Sequence, residues 1–555
     1  MLDSTGLSSP AKQRHNDIRA AIIAACVVFI CLFSGLGAVG LLGPDEPRYA
    51  WIARAMAETG DWVTPRLYGQ PWFEKPVLYY WAAAVGFRLH LPAEFAARLP
   101  SAIAALAAAL TVGWLSWKHY RAEESFLKSP ALHAPLIFST TAAAIGFSRA
   151  ATPDMLFSAF IALAMASASS VFWGRGALPV RSNAALTAPR PEKLALASFG
   201  VFLGLAVLAK GPAAVILAGG AIGLWAVATA HWRRALQLFH PVATGSFCLV
   251  ALPWYILCAA RNPDFMHVFI FQHNFERYLT PVFQHKQPFW FFAWITLLAM
   301  LPWTVLLISA GQEGLRLWRE RSWADSPGFF YACWAIFPII FFSLSQSKLP
   351  GYILPAVPPL ALLCGVSASR AFQKSRSDAI LIGLGISLVW IMLAISAFFM
   401  ARKFPAAGTG RIAGFAITIG VLVVLAMLLA GLRQNLLGVA ASSSLAVAAA
   451  VAVAGLVILP AMDPYVSARS HAAFLRGDLR PDRIYTYHLN RSWNYGLAFY
   501  LRRELPEWSP QELDAALVLT NHKGLDEMVK AGRFRGELNE TEQGILYVPI
   551  SPMPR

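Results

Sequence analysis

The stretch IRAAIIAACVVFICLFSGLGAVGLLGPDEPR runs from Ile18 to Arg48. As far as Leu42 it carries one charge, Arg19. About 20 apolar residues suffice to cross the hydrocarbon core of a bilayer. The run is too long for the apolar part of a cleaved secretory signal, and no A-x-A site with a soluble continuation follows. It therefore predicts a retained spanning helix over Ile18–Leu42. Gly43-Pro44 stops that helix, and charge returns at once as Asp45, Glu46 and Arg48.

The rest of the chain has the same character. Of 555 residues, 57% are hydrophobic and 14% charged, with a mean hydropathy of +0.52. A soluble domain carries about 25% charged residues, so too few polar groups exist here to cover a water-facing surface. Disorder, a collagen-like fibre and a disulfide scaffold are excluded by the same numbers. The net charge of +16 falls in short clusters between apolar runs, which argues against a nucleic-acid partner. Six cysteines (Cys26, Cys31, Cys248, Cys258, Cys333, Cys364) all lie inside apolar runs without CxxC spacing and read as small core residues.

Thirteen candidate spans follow from apolar length: Ile18–Leu42, Ala97–Trp117, Leu132–Phe147, Met155–Trp173, Leu194–Ala209, Ala213–Ala230, Pro241–Ala260, Phe289–Ser309, Phe329–Ser345, Tyr352–Val366, Ala379–Met400, Ile412–Leu432 and Asn435–Leu459. Basic residues in alternate short loops (Lys118/Arg121/Lys128, Arg233/Arg234, Arg316/Arg319/Arg321, Arg370/Lys374/Arg376) put the N-terminus in the cytoplasm. The fold class is then an all-α polytopic membrane protein with a small C-terminal α/β domain. Residues 1–461 form the membrane domain and 462–555 an outer, soluble one. In the latter, Ile484–Tyr487, Ala516–Thr520 and Ile545–Ile550 read as strands, and Asn494–Glu504 and Leu525–Gly532 as helices. The first outer loop, 43–96, is long, and its amphipathic segments Glu46–Thr59 and Pro76–Phe87 suit helices lying in the interface plane.

Under this topology the unusual polar residues gather on one side. They are Asp45, Glu46 and Arg48; Glu74 and Lys75 in WFEKP; Arg149 and Asp154 in SRAATPD; Lys210 in LAKGP; His273 and Arg277 between Arg261 and Pro288; and Lys348 and Tyr352 in SKLPGYILP. Each has a plain alternative. Asp45 and Asp154 could only cap helices. Glu74 and Lys75 could form a surface ion pair worth about 0–1 kcal/mol. Lys210 could snorkel to the interface, and His273 could be a structural residue of an aromatic loop. Chance caps and snorkels would be spread over both sides, however, and charges at membrane depth are costly and tend to be functional.

Cations beside carboxylates at the outer leaflet suit a lipid-linked phosphosugar. Lys75, Lys210, Arg277 and Lys348 offer positive charge to a phosphate. The carboxylates could act as a general base, bind a metal or orient an acceptor. Sugar transfer would then depend on stabilising charge on the departing lipid phosphate.

At these residues the chain resembles a known family. GPDEPRYAWIARAMAETGDWVTPRLYGQPWFEKPVLYYW is similar to the first outer loop of the lipid A aminoarabinose (4-amino-4-deoxy-L-arabinose) transferases. With the dolichyl-phosphate-mannose protein mannosyltransferases, these belong to the GT-C glycosyltransferases. The likeness continues through RAATPDMLFSAF, LAKGPAAVIL, LPWYILCAARNPDFMHVFIFQHNFERY, HKQPFWFF and KLPGYILPAVPPLALL, over most of residues 40–370. It implies thirteen spans, interface helices in the first outer loop and a periplasmic C-terminal domain, in a multi-pass protein of the bacterial inner membrane. It also implies an inverting enzyme that uses an undecaprenyl (polyprenyl) phosphate sugar and acts on lipid A or another periplasmic acceptor. Asp45 is implied as a catalytic or acceptor-positioning carboxylate and Asp154 as the acid of the third motif. Arg48, Lys75, Lys210, Arg277 and Tyr352 take phosphate-contacting positions. Glu74 and His273 are implied as ligands of a divalent metal (Zn, or Mg/Mn), with Gln272 and Asn274 as alternative alignments of the latter. Trp72 stands where the family often has Tyr.

The resemblance fixes the donor class better than the acceptor, and a mannosyl- or glycosyltransferase acting on protein Ser/Thr or another glycolipid is the alternative. From a different class, a transporter would also suit thirteen spans with charges. Transporters commonly show internal repeats and midplane sites, whereas the first-loop motif has no counterpart in the second half.

Overall fold

The computed structural model describes residues 10–120, 126–174, 192–276, 287–374, 376–403, 436–478, 483–509, 516–532, 539–540 and 545–550, with isolated positions at 411–425 and 511. Helix α1 (Pro10–Phe33) ends well before the Leu42 expected from hydropathy. Gly35 makes the break: its φ is +74, and a Cβ there would lie 2.7 Å from the Cα of Gly455. Non-helical backbone near a membrane must still satisfy its carbonyls, and two arginines do so. Arg149 donates to the carbonyls of Cys31 (2.6 Å) and Ser34 (3.1 Å). Arg98 donates to those of Leu36 (2.9 Å), Val39 (2.7 Å) and Gly40 (2.8 Å).

The first loop holds two helices where two were expected, α2 (Asp45–Thr59) and α3 (Leu78–Arg88), joined through a short hairpin of β1 (Arg66–Leu67) and β2 (Gln70–Pro71). A bundle follows: α4 (Ala93–His119), α5 (Pro130–Ser139), α6 (Ala142–Ser148), α7 (Asp154–Trp173), α8 (Lys193–Lys210), α9 (Ala213–Ala228), α10 (Trp232–Leu236) and α11 (Pro241–Arg261). Small residues let these helices approach closely. A Cβ at Gly200 of α8 would lie 2.1 Å from the Ala243 carbonyl of α11. Then come α12 (Phe291–Ala299), α13 (Thr304–Arg319), α14 (Pro327–Ser343), a 3-10 turn over Pro350–Ala356, α15 (Val357–Lys374), α16 (Arg376–Lys403) and α17 (Leu436–Val453).

Two expected spans are not straight. Leu132–Phe147 is the pair α5 and α6, bent by 58°. The bend is held from both sides: Thr141 Oγ1 caps α6 through Ala144 N, and Trp303 Nε1 donates to Thr140 Oγ1 at 2.8 Å. Phe289–Ser309 is instead α12 and α13 at 109°, with Pro302, which lacks a backbone donor, in the turn between them. Among the described residues seven helices are long and apolar enough to cross a membrane, or nine if each bent pair counts as one span. Ala213–Ala228 and Pro327–Ser343 are shorter apolar helices, and the expected span Ile412–Leu432 lies outside the described residues. The chain is a multi-pass membrane protein.

After α18 (Leu459–Val466) and α19 (Arg469–Asp478) the periodicity changes. β3 (Ile484–Tyr487) leads through α20 (Arg491–Leu501) to β4 (Ala516–Thr520), its parallel neighbour. Helix α21 (His522–Lys530) follows, and β5 (Asn539–Glu540) and β6 (Leu546–Ile550) complete a four-stranded sheet in the order β3-β4-β6-β5. The segment is bound to the rest of the chain by polar contacts, two of them buried. Gly40 N donates to Asp463 Oδ1 at 2.6 Å, Leu41 N to the Tyr500 hydroxyl at 2.8 Å, and Arg54 to the Phe499 carbonyl at 2.9 Å.

Candidate active site

Helix α2 opens at Asp45 itself, with Pro44 in the capping position, so the carboxylate is not used as a cap. One turn on, Arg48 forms an ion pair with Asp45 and reaches Glu74 at 3.1 Å. Its guanidinium also lies 5.6 Å from the Trp72 ring, 5.8 Å from Tyr49 and 5.3 Å from Tyr495, distances at which a cation is attracted to a π face. The Arg48 side chain is 7% exposed and Glu74 12%, whereas Asp45 is 51% exposed. Burial works against the Arg48 charge, but Glu74 and then Asp45 outweigh it and the guanidinium is held more firmly protonated than usual. Lys75 closes on Glu74 at 3.5 Å. Burial, reinforced by Glu74, pushes the Tyr49 and Tyr80 phenols well above their ordinary range, so Tyr49 stays a donor toward Glu74 at 3.5 Å.

The second half of the site comes from three helix ends. Lys210, the last residue of α8, pairs with Asp154, the first of α7. Neither the snorkel nor the cap is observed, because each side chain answers the other. The Lys210 ammonium lies 4.9 Å from the Tyr352 ring and 5.4 Å from Phe157. The Pro350–Ala356 turn comes close enough that a Cβ at Gly351 would lie 3.6 Å from Asp154 Cγ. Lys75 lies within electrostatic range of Asp154. Six sequence-derived residues of the first loop, α7 and α8 thus gather with Tyr352: Asp45, Arg48, Glu74, Lys75, Asp154 and Lys210.

The other candidates make different contacts. Lys348 is buried and donates to the Ser345 carbonyl; burial lowers its pKa. His273 sits in the wide helical turn His267–Glu276. It lines a cavity of about 520 Å³ with Glu74, Trp72, Arg261 and Asp264. Arg277 lies outside the described residues. For a divalent ion, Glu74 and His273 do face one space. Among the described residues no three His, Cys, Asp or Glu side chains come close enough together to hold a metal ion, so an ion there would complete its shell with water or anionic ligand oxygens.

Arg98 is a residue that the sequence reading passed over. It meets Glu46 with two bonds, 3.1 and 2.6 Å, and both groups are buried. Glu46 also accepts from Leu42 N and Ala151 N, each at 2.7 Å. This cluster fixes the start of α2 against the loop leading to Asp154. A lone Arg in the alanine-rich run Ala93–His119 was the available signal. Arg149, read as part of the outer polar cluster, caps α1 instead.

Such a bundle, with charged groups on helix ends and the first-loop helices beside them, matches the fold expected from the sequence. The crystal structure of ArnT from Cupriavidus metallidurans bound to undecaprenyl phosphate superposes with a TM-score of 0.76, 22% identity and coverage of 96% of this chain and 97% of that one. The model of the dolichyl-phosphate-mannose-protein mannosyltransferase family matches residues 20–269. The undecaprenyl phosphate-alpha-4-amino-4-deoxy-L-arabinose arabinosyl transferase of Erwinia tasmaniensis is 33% identical over 63% of this chain and 60% of its own length. That of Edwardsiella ictaluri is also 33% identical, over 63% and 61%. The matched region thus spans about three fifths of these relatives. The chain is similar in sequence to the aminoarabinose transferases over about three fifths of their length, and its fold is that of the ArnT crystal structure.

Proposed function

We propose that the protein transfers a sugar from an undecaprenyl (polyprenyl) phosphate donor to an acceptor at the periplasmic face of the bacterial inner membrane. The sugar is 4-amino-4-deoxy-L-arabinose and the acceptor a lipid A phosphate. The observation that carries this reading is a pair of charged clusters, Asp45–Arg48–Glu74–Lys75 and Asp154–Lys210, with Lys75 in electrostatic range of Asp154. Residues 1–461 would supply the catalysis and 462–555 would lie in the periplasm.

In the transfer, an acceptor oxygen attacks the anomeric carbon from the face opposite the carrier, and the bond from that carbon to the phosphate oxygen breaks. Negative charge grows on the departing lipid phosphate. Lys75, Lys210 and Arg48 are the groups that stabilise it, as fixed cations in a partly dry site. Arg277 and Lys348 add further positive charge, and Tyr352 covers the Lys210 side chain. Asp154 keeps Lys210 in place before the donor arrives. Asp45, half exposed beside Arg48, faces the acceptor. A phosphate nucleophile is already anionic and needs orientation more than deprotonation; a hydroxyl would need Asp45 as base. A divalent ion held by Glu74 and His273 would add positive charge toward the same phosphate.

Mass spectrometry of lipid A from cells with and without the protein tests the proposal. An aminopentose on the phosphate only when the protein is present is the expected result. Unchanged lipid A would favour the second reading, transfer to a protein hydroxyl, which the match to the mannosyltransferase family model supports.

A further inference from the structure

Arg48 is caged by three rings, and one of them comes from the far end of the chain. Trp72 and Tyr49 belong to the first loop, but Tyr495 lies on α20, in the C-terminal segment. The Tyr495 ring is itself held: it stacks on Tyr68 at 6.5 Å with planes 22° apart, and Arg491 lies 5.8 Å from it. Tyr68 in turn meets Trp51 of α2 edge-on at 4.8 Å. Helix α20 is pinned to α2 one turn further along, where Arg54 donates to the Phe499 carbonyl and its guanidinium lies 3.7 Å from the Phe499 ring. The docking is therefore specific at two successive turns, and its upper turn ends on the guanidinium that joins Asp45 to Glu74.

We infer that Tyr495 is a positioning residue of the transferase site: its ring holds the Arg48 guanidinium between Asp45 and Glu74, so the C-terminal segment completes the active site rather than merely covering it. The physical reason lies in the Arg48 environment. Its side chain is 7% exposed, so it has little water to fall back on, and two carboxylates, the Pro44 carbonyl (3.0 Å from Nε) and three ring faces replace its hydration. Asp45 is fixed only from one side, being 51% exposed. Removing one ring admits water to Arg48 and frees its rotamer, and Asp45 then loses the partner that sets its direction. This inference rests on the transferase reading for its catalytic consequence but not for its structural one.

The test compares Tyr495→Phe, Tyr495→Leu and Tyr495→Ala in the full-length protein, in lipid or detergent, with two readouts. The first is steady-state sugar transfer with varied donor. Phe should retain near wild-type kcat, whereas Leu and Ala should lower kcat about tenfold through loss of the cation–π contact, with a smaller change in donor KM. The second needs no activity: the rate at which phenylglyoxal modifies Arg48, followed by peptide mass spectrometry, should rise severalfold in Leu and Ala but not in Phe. Equal modification rates in all three and the wild type would overturn the inference, as would a Leu variant as active as Phe. If wild type transfers no sugar yet Arg48 is exposed in Leu and Ala alone, the functional reading fails while the positioning role stands.

Discussion

Arg98 meets Glu46 side by side, at 3.1 and 2.6 Å, with neither group open to water. The pair does more than neutralise itself. Arg98 also holds the carbonyls of Leu36, Val39 and Gly40, and Glu46 holds the amides of Leu42 and Ala151. One buried ion pair therefore organises the break after α1, the start of α2 and the approach to Asp154. Breaking such a pair from one side leaves an uncompensated charge, at a cost of about 3–5 kcal/mol. Arg98→Ala should lower the melting temperature sharply or abolish folding, as read by thermal unfolding in detergent. Arg98→Lys should rescue it only in part, since one ammonium cannot serve three carbonyls and both carboxylate oxygens. A Lys variant as stable as wild type would remove this role.

Asp45 gives the opposite expectation. It is 51% exposed and starts α2 without capping it, so stability owes it little. Asp45→Asn keeps the shape but weakens the pair with Arg48. The melting temperature should stay nearly unchanged while transfer falls. If the acceptor is a hydroxyl the loss should reach about 100-fold or more, the usual scale for a general base; a phosphate acceptor should show a smaller loss. The variant thereby reports the acceptor class. Full activity would refute a role in transfer.

Much of this site was legible in the sequence because each half is local. The acids and cations of GPDEPR and WFEKP, and the helix-end residues Asp154 and Lys210, stand out against apolar neighbours. Which charge answers which was not legible, since Asp154 and Lys210 are joined only by the packing of α7 on α8. The fold shows the same division. Hydropathy located the helices but placed the end of α1 too late, because an apolar run does not reveal that Gly35 turns the chain and that distant Arg98 and Arg149 satisfy the freed carbonyls. The bends at Thr140 and near Pro302 sit inside apolar runs for the same reason. Tyr495 carried no signal at all, since an aromatic residue in a soluble-looking helix is ordinary until its neighbour is known.

The pair of Lys210 with Asp154 predicts a split in kinetic effect. Lys210 is placed to contact the donor phosphate, and a hydrogen bond to a charged group contributes about 1.5–3 kcal/mol. Lys210→Gln should therefore raise the donor dissociation constant about 10- to 100-fold. Asp154→Asn leaves the ammonium in place but less firmly held, so its main effect should fall on kcat. The double variant should lose less than the sum of the two, because both changes act on one contact. Titration of a polyprenyl phosphate against each protein, with kcat from transfer at saturating donor, measures this split, and strictly additive losses would separate the residues.

Lys348 supplies the pH dependence. Burial lowers its pKa, so its ammonium gives up a proton at lower pH than an exposed lysine near 10.4. With the folded value below the unfolded one, its positive charge is fully present at low pH and is lost as pH rises through the folded pKa. Holding that buried charge costs stability at low pH, and the cost fades on the alkaline side. Any attraction it exerts on the donor phosphate must weaken over the same alkaline interval. Donor affinity measured from about pH 7 to 10 should thus decline earlier than deprotonation of an ordinary lysine would dictate. Lys348→Arg should remove the decline, since a guanidinium stays charged throughout. Lys348→Met should bind more weakly near pH 7, lose the early decline, and converge on wild type as pH rises. An alkaline limb identical in wild type and the Arg variant would take Lys348 out of the phosphate site.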